Sequence, residues 1–133
     1  MLANHNQLKN AHSVCTSELV TQYQTPSRSK QKKMIIYNTT FHIEECVQQD
    51  FIDYIRQNVI PQATKSGLLT SPRFSRIFSE HEEQGFSYAL EFATESISTL
   101  EQWNKTECTT VITPLIKKFG DKVVGFSTIM QVV

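Results

Sequence analysis

The chain has 133 residues, and its 13 Lys and Arg balance 13 Asp and Glu, so the formal net charge at pH 7 is zero. That length leaves room for one domain. The balance disfavours a protein that depends on a strongly basic surface for binding nucleic acid. Residues 34–133 alone carry eight Lys and Arg against twelve Asp and Glu, a net charge of −4, which disfavours polyanionic partners further.

The first 33 residues differ from the rest of the chain. They are rich in Gln, Asn, Ser, Thr and Lys and show neither helical nor strand periodicity. Such a segment buries too little apolar surface to offset the entropy of ordering it, so we expect residues 1–33 to be disordered. An alternative is a non-native extension. Codons for Lys and Gln are rich in adenine, so a Lys- and Gln-rich stretch directly before Met34 is typical of an A-rich untranslated leader that has been translated by mistake. In that case Met34 would be the native start.

Alternating side chains open the patterned part of the chain. In residues 34–43 the odd positions form a largely apolar face and the even positions a more polar one, which predicts a strand. From Cys46 onward, apolar residues recur every three or four positions, which predicts a helix. Pro61 lacks the N–H that a helix interior needs, so we expect a kink or a break near Ile60 and an end at Gly67.

A polar, Gly-containing loop at residues 80–85 separates two apolar runs, which predicts a β-hairpin. Pro72 lies in the first run. Because proline cannot donate a hydrogen bond to a neighbouring strand, this strand is expected at an edge of the sheet.

A second helix follows the hairpin. Ser98 and Glu101 fit a capping box at its start. Thr109, Thr110 and Pro114 are expected to divide it into two pieces, and a last strand runs to the C-terminus. The element order β-α-β-β-α-β predicts a ferredoxin-like α+β domain over residues 34–133, with a four-stranded antiparallel sheet and both helices on one face.

The third strand indicates which side of the sheet meets the helices. Its even positions are large and apolar, whereas Glu91 lies among small residues on the other side. An unpaired carboxylate in a small core costs several kcal/mol, so we expect Glu91 to point outward while Tyr88 and Phe92 point inward. The same reasoning predicts that the even positions of the last strand face inward: Val124, Phe126, Thr128, Met130 and Val132.

The outer face of the sheet would then combine small, mildly polar and apolar side chains: Ile36, Thr40, Ala89, Ala93, Gly125 and Ile129. These carry no charge and leave room for a second sheet, so we predict a homodimer formed face to face. The alternative is a solvated face with scattered apolar residues.

Residues 34–133 resemble a small bacterial family known only as a domain of unknown function, within the dimeric α/β-barrel superfamily of ferredoxin-like proteins. The resemblance is carried by the opening residues 34–38, the hairpin strand at 85–92, and Phe126-Ser127-Thr128 with the final Val132-Val133. It implies the fold and a dimer, and it implies no known activity. Members tend to carry Arg where this chain has Ser127, so no role for that Arg is carried over.

The expected function is a binding or structural module without catalysis, because the sequence shows no His/Cys/carboxylate cluster and no Gly-rich phosphate loop. The alternative is a cofactor-independent enzyme acting on a small molecule, similar to monooxygenases and isomerases of the superfamily, whose pockets lie between sheet and helices. Candidate pocket residues are Tyr37, Tyr88 and Trp103, each equally explained by core packing. Arg76 is an anion-binding candidate if it points inward, or else an edge arginine reaching water. His42 and His81 are possible titrating groups.

A third interpretation is RNA binding, because RNA-recognition modules share this element order. Residues 85–88 resemble the start of their aromatic strand motif, and Tyr37 lies where a stacking residue would lie on the first strand. In that arrangement Glu91 would occupy the core. We therefore expect no nucleic-acid partner.

No metal or cofactor is expected, because the four histidines show no ligand spacing. The three cysteines form no CxxC pair, which favours free thiols in a reducing compartment. No segment approaches the ~20 apolar residues of a membrane span, and the N-terminus lacks the apolar core of a secretory signal. We therefore expect a cytoplasmic protein.

Overall fold

The computed structural model describes residues 33–80 and 84–133, where strands and helices follow the predicted order β-α-β-β-α-β. The strands are β1 (Ile35–Ile43), β2 (Thr70–Ile77), β3 (Phe86–Thr94) and β4 (Val123–Gln131). They form one antiparallel sheet in the order β2-β3-β1-β4. The ferredoxin-like α+β prediction is confirmed. The predictions for residues 1–32 and for His81 lie outside the described residues.

The first helix continues past Pro61. It consists of α1 (Gln48–Tyr54), a π-helical segment (Ile55–Val59) and α2 (Ile60–Thr64). The helix does not break near Ile60, because the proline occupies the first turn of α2, where a missing N–H costs little. The irregularity that the helix has there is the π-helical segment with its wider turns, which ends just before Ile60. Gly67 follows the helix with φ +81°, a left-handed conformation that agrees with its predicted role at the helix end.

The second helix begins two residues earlier than predicted. It consists of α3 (Ile97–Trp103), a π-helical segment (Asn104–Cys108) and α4 (Thr109–Phe119). Its N-cap is Ser96, whose Oγ accepts a hydrogen bond from the Thr99 N–H at 3.1 Å. Ser96 has the extended backbone that an N-cap requires, whereas Ser98 already lies within the first turn. The capping box predicted at Ser98 is therefore wrong.

Pro114 also fails to divide the second helix. It lies inside α4 on the exposed side. The carbonyl of Thr110, which a proline leaves without its helical donor, belongs to an exposed residue and can be hydrated. The irregularity of this helix is instead the π-helical segment, next to Trp103.

The helices cover one face of the sheet, and aromatic rings fill the space between them. Phe51 of α1 is fully buried, and its ring lies 5.3 to 6.1 Å from four other rings, those of Phe41, Phe74, Tyr88 and Phe119. Tyr88 and Phe92 are each 5% exposed. Glu91, on the opposite side of β3, points away from the helices as predicted.

The facing of β4 is the reverse of the prediction. In its register with β1, Ile129 lies opposite Tyr37 and Ser127 lies opposite Thr39. Directly opposed residues of neighbouring strands share a face, so the odd positions of β4 face the helices. Its even positions face outward with large exposed fractions, 50% for Val124, 58% for Phe126 and 43% for Met130. Ile36, Thr40, Ala89 and Ala93 belong to the outer face as predicted, and Gly125 and Ile129 do not.

The hairpin between β2 and β3 depends on local irregularities. The register of β2 against β3 shifts between Thr70 and Arg73, the stretch that contains Pro72, and β2 is an edge strand as predicted. Gly85 precedes β3 with φ +117°, and a Cβ there would overlap the carbonyl oxygen of Ile43. Only glycine fits this close approach of backbone to backbone.

Cys46 is exposed and is a free thiol, as predicted. Cys108 is fully buried and forms a disulfide bond, so the prediction of free thiols is wrong for this residue. Three cysteines are compatible with one disulfide and one free thiol, and the absence of a CxxC pair does not exclude a bond between cysteines far apart in the chain.

Candidate functional site

Two of the predicted pocket residues, Tyr37 and Trp103, are in contact. Their ring centroids are 5.8 Å apart at an interplanar angle of 59°. Both residues are buried, and the Trp103 indole N–H donates to the Ala63 carbonyl at 3.0 Å. Trp103 therefore connects α3 to the end of α2 and has both its ring and its polar atom satisfied by the protein.

Tyr37 belongs to a hydroxyl row formed by Tyr37, Thr39 and Ser127 on the helix-facing side of the sheet. The Ser127 hydroxyl donates to the Tyr37 hydroxyl at 3.3 Å, and Ser127 and Thr39 share a hydrogen bond of 3.1 Å. Thr39 and Tyr37 are buried, whereas Ser127 is half-buried on the edge strand β4. The row therefore leads from the edge of the sheet toward the core. Its neutral groups both donate and accept hydrogen bonds, which suits a carbonyl or hydroxyl group better than an ion.

Asn104 is a second buried polar residue of the second helix. It follows Trp103, opens the π-helical segment and is 8% exposed. Its Oδ1 has no hydrogen-bond partner within the part of the chain that the structure describes. A buried acceptor left in this state costs about 1–3 kcal/mol, and π-helical segments are frequent at functional sites.

The other two predicted pocket residues, Tyr88 and Arg76, lie opposite each other on β3 and β2. Tyr88 stacks on Phe74 with ring centroids 5.4 Å apart, and its hydroxyl accepts a hydrogen bond from the Gln48 side chain at 2.9 Å. Arg76 shares this helix-facing side, but it is exposed. Its guanidinium carbon lies 4.7 Å from the centroid of the Phe86 ring. Arg76 therefore lies at the sheet edge with its cation on an aromatic ring.

The four candidates form two pairs instead of one cluster. Tyr88 is opposite Phe41, which is four residues from Tyr37 along β1, a separation of about 13 Å at the rise of a strand. Thr39 and Ser127 were missed as candidates. Thr39 was on the face of β1 predicted to be apolar, and Ser127 was assigned to the outer face through the wrong facing of β4.

His42 lies on the outer face and is exposed. Its Nε2 is 3.0 Å from the Gln84 carbonyl oxygen, and its Nδ1 is 3.1 Å from the Ser87 hydroxyl. A carbonyl only accepts hydrogen bonds, so Nε2 carries the proton and donates, and in neutral His42 the Nδ1 accepts from Ser87. Both ring nitrogens therefore have structural partners. Residues 33–80 and 84–133 contain no group of three or more His, Cys, Asp or Glu side chains that could hold a metal ion.

The sheet face that no helix covers, here called the outer face, is an array of cross-strand rows. Each row has one residue from β2, β3, β1 and β4 in that order. The rows are Ile77–Ser87–His42–Val124, Ser75–Ala89–Thr40–Phe126, Arg73–Glu91–Asn38–Thr128 and Thr70–Ala93–Ile36–Met130. The third of these is called the polar row. The β4 end of the other three rows is apolar and exposed.

The rings that the RNA interpretation needs are absent from the outer face. Tyr37 and Tyr88 are 3% and 5% exposed and lie beneath the helices. Bases cannot stack on buried rings, so neither residue serves the role that this interpretation gave it.

The sheet order and the one-sided helix layer define a ferredoxin-like α+β protein. The chain belongs to the family described as Domain of unknown function (DUF4286), whose family model matches residues 34–133. No protein of curated function matches the chain. Within the described residues, no helix combines the length and the apolar character that crossing a membrane requires.

Two solved structures share the fold. One, described as a dimeric ferredoxin-like protein from an uncultured marine organism, has a TM-score of 0.59 at 15% identity and covers 77% of this chain and 97% of its own. The other, described as an ethyl tert-butyl ether d (ethd) family protein from Bacillus halodurans, has a TM-score of 0.60 at 18% identity and covers 74% and 99%. At these identities the similarity establishes the fold alone.

Proposed function

We propose that this protein is a homodimeric binding or structural module without catalysis, and that two copies associate through the outer face. The supporting observation is the column of exposed apolar side chains on β4: Val124, Phe126 and Met130. In a monomer these side chains would stay in contact with water on a face that carries few charges, and exposed apolar side chains grouped on one face commonly mark interaction sites.

The dimensions of the sheet are compatible with this association. Four strands of nine residues or fewer cover about 30 by 19 Å at ordinary strand spacings. Two such faces in contact bury on the order of 1,100 Å², near the lower limit for a specific interface. The side chains that β3 contributes to the outer face are short, since three of them are Ser87, Ala89 and Ala93. Small side chains let a second sheet approach to the ~10 Å spacing of packed sheets.

The described dimeric state of one structural neighbour adds support, because that protein has the same fold and therefore the same uncovered face. Such a dimer hides the apolar column from water without any further protein.

Sedimentation velocity of the full chain over a hundredfold dilution tests this proposal. We expect a species of twice the 15.3 kDa chain mass that dissociates on dilution. A chain that remains monomeric at its highest soluble concentration would refute the proposal.

A second candidate function rests on the hydroxyl row. We propose that Tyr37, Thr39 and Ser127 bind a neutral small molecule that enters beside β4, either for binding alone or for cofactor-independent conversion. The half-buried Ser127 supports this proposal, because it connects two buried hydroxyls to the sheet edge. Native mass spectrometry of the protein purified from its own cells should show a retained mass that Ser127→Ala loses. Ser75→Ala, on the outer face, is the matched control and should keep it.

We also propose that the native chain starts at Met34 and resides in the cytoplasm. The family match supports the first point, because it begins at residue 34. The Cys108 disulfide counts against it, because a chain that starts at Met34 has only the free thiol Cys46 as a second cysteine. Intact-mass measurement of the endogenous protein decides it, since a mass that includes residues 1–33 excludes that start. Cell fractionation tests the second point, and a Cys108 disulfide that persists in the cell would argue against a reducing compartment.

A further inference from the structure

The polar row interrupts a face whose other members, apart from His42, are small or apolar. Arg73 and Glu91 lie directly opposite each other, and Asn38 and Thr128 continue the row across β1 and β4. Asn38 donates one amide hydrogen to the Thr40 hydroxyl at 3.1 Å, while its Oδ1 is buried without a hydrogen-bond partner in the described part of the chain. A charged pair and a side-chain amide in the middle of an association surface restrict how a second copy can dock.

Resting on the homodimer proposed above, we infer that the polar row of one copy docks on the polar row of the other. The two-fold axis would run along the strands, between β1 and β3. The second copy thus supplies an acceptor, the Glu91 carboxylate, for the second amide hydrogen of Asn38, which has no partner in the described part of one copy.

Only a two-fold axis parallel to the sheet turns the two outer faces toward each other, because an axis normal to the sheet would leave both faces pointing the same way. In aligned packing of two sheets, this axis runs either along the strands or across them. An axis along the strands places β1 over β3 of the partner and β4 over β2. Each row then faces the same row of the partner subunit, with its four residues in the opposite order across the strands. Asn38 lies over Glu91 of the partner subunit, Thr40 over Ala89 of the partner subunit, and Phe126 over Ser75 of the partner subunit.

These contacts are complementary in polarity and in size. The side-chain amide of Asn38 faces a carboxylate, and the large ring of Phe126 faces a serine. Aligned sheets pack within about 30° of each other, so contacts near the axis, between β1 and β3, keep this correspondence best.

An axis across the strands gives a poorer fit. It reverses the order of the rows and places Glu91 over Ala89 of the partner subunit and Phe126 over Thr128 of the partner subunit. A carboxylate desolvated against a methyl group gains no hydrogen bond and is strongly unfavourable. Large side chains of β4 would also meet each other, while the small ones of β3 would face a gap.

Near the inferred axis, the two copies of Asn38 alternate with the two copies of Glu91. Each carboxylate accepts a hydrogen bond from the amide of the other subunit, and Arg73 of its own subunit compensates its charge. Because the two Glu91 side chains approach each other across the axis, the sign of the charge at this position controls which chains associate.

Mixing two charge variants tests the inference. Glu91→Lys makes the polar row positive, and Arg73→Glu makes it negative. Each variant alone should dimerise at least ~10-fold more weakly than the natural chain, because like charges face each other across the axis. When equal amounts are mixed, native mass spectrometry should show heterodimers well above the statistical half, and added salt should reduce the excess.

Control variants separate this effect from a general effect of charge. Lys117→Glu and Glu95→Lys alter exposed charges outside the outer face and should mix statistically. A second pair, Asn38→Asp and Glu91→Gln, changes charge with almost no change in size, so it applies even if the first pair fails to fold. Asn38→Asp should self-associate poorly and should prefer Glu91→Gln.

The outcomes also separate this inference from the proposed dimer. If the natural chain is monomeric, both proposals fail. If the natural chain is dimeric but both variant pairs mix statistically, the inferred orientation is overturned and the dimer remains.

Discussion

Truncation of Phe126 is the sharpest test of how the outer face is used. This ring is 58% exposed, and it lies opposite Thr40, midway along the edge strand β4. A Phe side chain carries about 200 Å² of surface, so roughly 115 Å² remains in contact with water in one copy. Covering that area contributes about 3 kcal/mol at ~25 cal/mol per Å².

Phe126→Ala retains about a third of this contribution and loses about 2 kcal/mol in each copy, or about 4 kcal/mol in each dimer. Because ~1.4 kcal/mol corresponds to a factor of ten, the dissociation constant should rise by up to about a thousandfold. Interface area converts incompletely into affinity, so the expected range is about one hundredfold to one thousandfold. Sedimentation equilibrium measures the constant, and circular dichroism verifies that the variant is folded.

Phe78→Ala is the matched control. Phe78 is 80% exposed, more than Phe126, but it lies outside the outer face and 5.1 Å from the Arg76 guanidinium carbon. Its removal should leave the dissociation constant unchanged. An unchanged constant for Phe126→Ala, or equal losses for both variants, would contradict association through this face.

Three further predictions concern stability and are checked by urea unfolding. Gly85→Ala should lower the free energy of unfolding by at least ~3 kcal/mol and Gly67→Ala by only ~1 kcal/mol. Both glycines have positive φ, but only at Gly85 does the added Cβ overlap backbone. Equal losses would show that this overlap relaxes. Ser96→Ala should lose ~1 kcal/mol and Ser98→Ala almost nothing, since Ser96 accepts the Thr99 N–H; the reverse order would restore the capping box. Asn104→Leu should be neutral or stabilising by ~1 kcal/mol, because it removes a buried acceptor without a partner; a large loss would mean that Oδ1 is satisfied in solution.

The candidate site was only partly predictable from sequence. Tyr37, Tyr88 and Trp103 were expected between sheet and helices, and they are buried there because rings at regular spacing mark the inner face of strands and helices. The separation of the four candidates into the pairs Tyr37–Trp103 and Tyr88–Arg76 was not predictable, since it depends on contacts between residues far apart in the chain. The role of Ser127 followed from the register with Thr39, a contact between residues far apart in the chain.

The helix boundaries show the same division. The apolar spacing predicted both helices, and Gly67 has the predicted left-handed conformation. The sequence also suggested that Pro61 and Pro114 interrupt the helices. Packing overrides that local preference, because the π-helical segment before Pro61 and the exposed position of Pro114 remove most of the penalty.

By itself, the sequence determined the element order, the edge position of β2 and the outward direction of Glu91. The physical reason for the last of these is that an unpaired carboxylate is unstable on the side of a sheet that helices cover and stable on the side that they leave open. Tertiary structure alone decided the facing of β4. Both sides of β4 carry apolar residues, so its sequence pattern does not indicate which side faces the helices. The hydrogen-bonded register with β1 places Ser127 beneath the helices and Phe126 on the outer face.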